Sequence, residues 1–136
     1  MATDLRPYLF FYGRCEEALE FYKGVFGGTY EIMLVKDTPV AEHMPPGSDD
    51  KVMHSSFDSD DVRFFASDGR ETKEIDPEAG NIALALAFED GARGERIFAA
   101  LADGGNVEMP IGEAFWGGRF GNVVDKFGTT WVMTLP

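Results

Sequence analysis

A short pattern occurs twice in this chain, and the repeat limits the folds open to it more than any single residue does. Gly27-Gly28-Thr29-Tyr30-Glu31-Ile32 returns as Gly104-Gly105-Asn106-Val107-Glu108-Met109, an offset of 104 − 27 = 77 residues. At the same offset Leu9, Phe11 and Phe21 meet Leu86, Phe88 and Phe98, so the match extends over the strand and helix expected ahead of each glycine pair. Each copy follows a stretch with helical spacing and opens a β-rich one. A unit of half this length buries too little surface alone, so the two copies are expected to share a core.

Within the first copy, Leu5 to Tyr12 is apolar on both alternating faces, with Leu9 and Phe11 on one and Tyr8, Phe10 and Tyr12 on the other. That pattern predicts a strand covered by a helix on one side and lining something on the other. Cys15, Ala18, Leu19, Tyr22, Val25 and Phe26 then fall at i, i+3, i+4, i+7 spacing while Glu16, Glu17, Glu20 and Lys23 face away, which predicts an amphipathic helix stopped by Gly27-Gly28. Thr29 to Lys36, Val52 to Asp58 and Val62 to Ser67 read as three strands. Between the first two of these, Asp37 to Lys51 holds Pro39 and Pro45-Pro46-Gly47, and a segment of that length is expected to be a lid or binding loop.

The second copy reads as a strand over Asn81 to Glu89, a helix over Ala92 to Asp103 burying Ile97, Phe98 and Leu101, and strands over Asn106 to Met109, Phe120 to Val124 and Thr130 to Leu135. Asp125-Lys126-Phe127-Gly128 is the turn between the last two. The expected organisation is one domain over 1–136, with a βαβββ module at about 5–68, a polar linker at about 69–80 and a second module at about 81–136.

A formal net charge of −12 leaves no field of Lys and Arg to displace counterions, so neither nucleic acid nor an anionic membrane is an expected partner. Cys15 is the single cysteine, so no disulfide can form within the chain. No apolar run is long enough for a membrane span, and Met1 to Arg6 lack the basic start and apolar stretch of a secretion signal; a cytoplasmic location is expected.

Several motifs add to the modular pattern. They are Tyr12-Gly13 leading into Glu17-Ala18 and Phe21-Tyr22, Glu42-His43-Met44-Pro45, His54, Ser67-Asp68, Phe115-Trp116-Gly117, and Asp125-Lys126-Phe127-Gly128 followed by Trp131. On these residues the chain resembles the PhnB-like branch of the glyoxalase, bleomycin-resistance and extradiol-dioxygenase superfamily, the vicinal oxygen chelate fold. Members of this branch are often labelled 3-demethylubiquinone 3-methyltransferase-like. The resemblance implies an α+β fold in which two tandem βαβββ modules form a cup-shaped half-barrel, and a homodimer. It also implies metal ligands on the first and last strands of the modules. Those positions fall on or near Pro7, on Asn81, on Val132 and at about Phe64 or Phe65, none of them a strong ligand, so no cofactor is expected although a divalent metal stays open.

The two histidines are His43 and His54. On distance along the chain, His54, Asp68 and Glu42 could converge into a metal or acid/base cluster, since imidazole and carboxylate are the usual partners in both; they are the candidate catalytic residues. Asp68, at a strand end, could equally cap backbone amides, and the resemblance of Ser67-Asp68 to the branch's pair gives it a place in the candidate ligand site. Phe115 and Trp116, flanked by Gly117-Gly118, are read as the aromatic wall of a pocket with Arg119 supplying charge and Tyr8 and Phe10 lining it. Trp131 reads as core, Asp125 as a stabiliser of its own turn, and Cys15 as buried in the apolar stripe rather than nucleophilic. No strand leads into a glycine-rich phosphate loop opening a helix, which argues against an S-adenosylmethionine methyltransferase. The expected function is binding of a small organic molecule in an aromatic-walled cavity. The alternatives are a metal-dependent lyase, isomerase or dioxygenase with an atypical site, and a protein that sequesters a toxic compound.

Overall fold

The computed structural model describes residues 4–69 and 81–136. The chain divides into two compact units, Met1–Glu74 and Ile75–Pro136, with the division inside the expected linker. Apart from Gly69, that linker lies outside the described residues.

The first unit runs β1 (Tyr8–Phe10), α1 (Cys15–Phe26), β2 (Thr29–Leu34), β3 (Val52–Asp58) and β4 (Arg63–Ser67). Its sheet has the order β1-β4-β3-β2, with β1 parallel to β4 and the other pairs antiparallel. The second unit runs β5 (Leu84–Ala87), α2 (Gly91–Ala102), β6 (Asn106–Glu113), β7 (Arg119–Val124) and β8 (Thr130–Leu135), in the order β5-β8-β7-β6 with the same pattern of directions. The chain is thus α+β with two tandem βαβββ modules. The repeat extends to single hydrogen bonds: Phe11 N–H donates to Ser67 O and Phe88 N–H donates to Thr134 O, both at 2.9 Å.

The repeated glycine pair has two separate causes. Gly27 and Gly104 take φ of 74° and 76°, a region open to glycine at a helix end. Gly28 and Gly105 lie against the neighbouring strand, where an added Cβ would come within 2.1 Å of Asp58 O and 2.2 Å of Val124 O. One glycine turns the chain out of the helix, and the next lets the strand close onto its partner.

Each helix buries its apolar stripe on one face of its own sheet. Cys15, Ala18, Leu19, Tyr22 and Phe26 of α1 are buried, and the Tyr22 ring meets Phe64 edge-on at 5.6 Å while Phe64 stacks on Phe57 at 4.9 Å. In α2 the buried residues are Gly94, Ile97, Phe98 and Leu101, and the core of this unit also holds Val123, Phe127, Trp131 and Met133. Asp125 ties its turn to that core. Its Oδ1 accepts from Phe127 N–H (2.9 Å) and Thr129 N–H (3.1 Å), and its Oδ2 accepts from the Trp131 indole N–H (2.9 Å).

Four strands differ by more than one residue from the sequence expectation, and β4 and β7 by one residue each. β1 covers three residues instead of Leu5 to Tyr12, because Pro7 lacks an N–H for the ladder and Tyr12, at φ 47°, leaves the extended conformation. β2 stops at Leu34, where a bulge between Met33 and Leu34 leads into a 3₁₀ turn, Val35–Asp37. β5 is confined to Leu84–Ala87, the length over which β8 pairs with it. β6 runs on to Glu113 instead of ending at Met109. As the edge strand of its sheet it tolerates Pro110, and two register shifts absorb the irregularity.

Candidate functional site

The segment that follows β2 is held over the sheet by its own backbone. Val35 N–H donates to Lys51 O (2.9 Å), Lys36 N–H to Asp49 O (3.0 Å) and Lys51 N–H to Ser48 O (3.0 Å). Within the expected lid or binding loop it carries a second 3₁₀ helix, Pro39–His43, with Pro39 in the first turn where a missing N–H costs nothing. Val40, His43, Met44 and Pro45 of this segment line a cavity of about 590 Å³. Tyr8 and Phe10 of β1, Val52 and Met53 of β3, and Ser67 of β4 also line it, with Val35 and Gly69.

The β1 aromatics reach the cavity because alternation sends Phe11 into the core under α1 and leaves Tyr8 and Phe10, 41% and 49% exposed, on the other face. They form a row: Tyr8 and Phe10 have ring centroids 5.1 Å apart, and Phe10 and Tyr12 are stacked at 6.3 Å. The Tyr8 hydroxyl lies 3.0 Å from His54 Nδ1, a phenol–imidazole hydrogen bond, and Phe65 completes the cluster at 5.3 Å from the His54 ring.

Asp68 lies between the lining residues Ser67 and Gly69, yet both its oxygens are engaged below the cavity. Its Oδ1 accepts from Gly13 N–H (3.0 Å) and Cys15 N–H (2.8 Å), and its Oδ2 from Val52 N–H (2.8 Å). The carboxylate therefore caps the start of α1 from a distant strand end, where its charge also meets the positive end of the helix dipole. Arg14, the residue before the helix, gives no side-chain cap of its own. Cys15, at the start of the same helix, is fully buried, and desolvation pushes its thiol up to about 12.

Glu42 is exposed on the 3₁₀ helix and is not among the lining residues. His54, Asp68 and Glu42 therefore do not form the cluster that the sequence allowed; among the described residues no three His, Cys, Asp or Glu side chains come together as a metal-binding group. Pro7, Val132, Phe64 and Phe65 offer no donor side chain, and Asn81 is exposed. These residues do not fit the metal that the superfamily fold implies.

The remaining candidates belong to the second unit. Phe115 and Trp116 occupy the tip of the β6–β7 hairpin, closed by Ala114 N–H to Gly118 O (2.9 Å), and are 97% and 60% exposed. Their rings meet edge-on at 4.8 Å, and Trp116 meets Phe120 at 5.5 Å. Arg119 forms an ion pair with Glu95 of α2 and donates to Pro136 O at 3.1 Å, so its charge is spent within its own unit.

Comparison with known proteins places these features in a family. The family model described as 3-demethylubiquinone-9 3-methyltransferase matches residues 3–134. Protein YjdN of Escherichia coli K12 is 30% identical, over 96% of this chain and 94% of its own. The crystal structure of PA1353 from Pseudomonas aeruginosa superposes with a TM-score of 0.82 at 35% identity, covering 98% of each chain. The PhnB protein from Bacillus cereus does so with a TM-score of 0.74 at 26% identity, covering 98% of this chain and all of that one. The chain belongs to the PhnB-like branch of the glyoxalase superfamily. The architecture of this branch is not the doubly wound parallel sheet whose strand ends hold S-adenosylmethionine, so methyl transfer named in the family's label has no structural support here. No described helix is long and apolar enough to cross a membrane.

Sequence reasoning marked Tyr8 and Phe10 for this PhnB-like cavity but missed Val40, Met44, Val52 and Met53 as lining residues. The signal available was the length and proline content of the segment from Asp37 to Lys51, which pointed to a lid without saying which side chains turn inward.

Proposed function

We propose that the protein binds a small, largely apolar organic molecule in the cavity of its first unit. The observation that carries this reading is the cavity itself. Its volume, about 590 Å³, falls within the roughly 300–1,000 Å³ usual for small-molecule sites, and its lining is mostly aliphatic, aromatic and thioether with few polar groups. Tyr8 and Phe10 act as the flat wall and the Pro39–His43 turn as the cover. Phe115, Trp116 and Arg119 form a second aromatic surface that the same reading assigns to a ligand or to a second copy of the chain. A homodimer acting in the cytoplasm, each chain a single domain of two modules, completes the proposal.

The test uses 2-naphthol as a probe and Val40→Trp as a plug. Calorimetry is expected to give saturable binding at one site per wild-type chain and a loss of at least about tenfold in the variant, whose indole occupies the cavity. Equal binding by wild type and Val40→Trp would overturn the assignment of the site.

A further inference from the structure

The charge and hydrogen-bonding pattern around the cavity goes further and specifies what kind of molecule fits. This step rests on the reading of the cavity as a binding site. Among the lining residues there is no carboxylate, ammonium or guanidinium. Of the two acids next to lining residues in sequence, Glu42 is exposed and not part of the lining, and Asp68 directs its oxygens to three backbone N–H groups instead. Ser67 Oγ accepts from Gly69 N–H at 3.2 Å, so this lining hydroxyl is turned to its own loop. A cationic ligand would thus lose its hydration without gaining a counter-charge, and an anion would face His43 alone among the basic side chains while meeting the field of a chain with net charge −12.

Of the polar side chains in the wall, which also include His43 and Ser67, Tyr8 is held by a side chain from another strand: its hydroxyl is 3.0 Å from His54 Nδ1. With His54 in the tautomer that leaves Nδ1 without a proton, the phenol donates to it and the Tyr8 oxygen keeps its lone pairs. A phenol held in this way accepts a hydrogen bond from a ligand. Beside it, Phe10 and Tyr12 continue the ring row, and Met44 and Met53 supply polarizable thioethers that suit aromatic edges. We propose that the cavity selects an uncharged, ring-bearing molecule carrying a hydroxyl group, which donates to the Tyr8 oxygen. Tyr8 is the contacting residue, and His54 is a positioning residue that acts through it.

Four probes of one ring system separate the parts of this proposal: 2-naphthol, naphthalene, 2-naphthoate and 2-naphthylmethylammonium, titrated into the full chain at neutral pH. The wild type is expected to bind 2-naphthol about five- to tenfold more tightly than naphthalene, the scale of one hydrogen bond, and the two ions at least about tenfold more weakly than 2-naphthol. Tyr8→Phe keeps the ring and is expected to bring 2-naphthol down to the affinity of naphthalene, which itself stays within about twofold. His54→Leu is expected to weaken 2-naphthol alone, and His54→Gln, which retains a hydrogen-bonding side chain, to restore most of the loss. A merely structural His54 would move all four probes together. Either ion binding as tightly as 2-naphthol, or Tyr8→Phe weakening naphthalene and 2-naphthol equally, would overturn the selectivity while leaving the binding site in place. Saturation by none of the four would overturn both.

Discussion

Asp68 serves three backbone N–H groups with two oxygens, and removing it strands two in a buried setting and one in a part-buried setting. Each orphaned donor costs about 1–3 kcal/mol, so Asp68→Ala is expected to lower stability by roughly 3–5 kcal/mol in urea unfolding, and Asp68→Asn by less because one acceptor survives. A loss under about 1 kcal/mol would show that water replaces the carboxylate. This role was not legible from the local sequence, since the donors Gly13 and Cys15 lie 55 and 53 residues away along the chain. Asp125 was legible, because its turn partners and Trp131 sit within six residues of it. Cys15 adds a pH dependence. Its thiol is pushed from an ordinary 9.0 to about 12 by burial, so the folded state keeps the proton longer than the unfolded one. The stability this provides is complete below about pH 9 and is lost as pH rises toward 12. Urea midpoints are therefore expected to fall more steeply above pH 9 in the wild type than in Cys15→Ala, whereas parallel curves would contradict the buried neutral thiol.

At the scale of elements, the glycine pairs give a paired test. Gly28→Ala and Gly105→Ala would each drive a methyl into a strand carbonyl and are expected to cost more than about 2 kcal/mol. Gly24, inside α1 with nothing within 4 Å of an added Cβ, is the control; Gly24→Ala is expected to gain about 0.5–1 kcal/mol from helix propensity. Similar effects at all three sites would mean that the strands simply shift to make room. The hairpin tip is the other element with a clear expectation. Phe115→Ala and Trp116→Ala remove exposed rings and are expected to change stability by no more than about 1 kcal/mol by thermal melting, far below the roughly 3–5 kcal/mol of a core aromatic. Both helices were readable from their periodicity to within one residue. The ends of β1, β5 and β6 were not, because strand length depends on what the partner strand offers and Pro110 is acceptable only on an edge, a position that sequence does not reveal.

For the molecule as a whole, the repeat pointed to two modules with the same succession of elements, and duplication explains why the two sheets share one strand order and the same directions of pairing. The cavity is less symmetric. It depends on the insert between β2 and β3, which has no counterpart between β6 and β7, where the chain turns directly through a short hairpin. That insert gives the first unit a cavity wall that the β6–β7 hairpin does not reproduce, a feature that lies outside the repeat. Methionine distribution makes the site assignment directly measurable. Met44 and Met53 line the cavity, whereas Met109 and Met133 belong to the second unit. With the methionine methyl groups labelled with carbon-13 and 2-naphthol titrated in, magnetisation transfer from the probe's ring protons is expected at Met44 and Met53 and absent at Met109 and Met133. Contacts at Met109 or Met133 with none at Met44 and Met53 would contradict the placement of the binding site in the first unit.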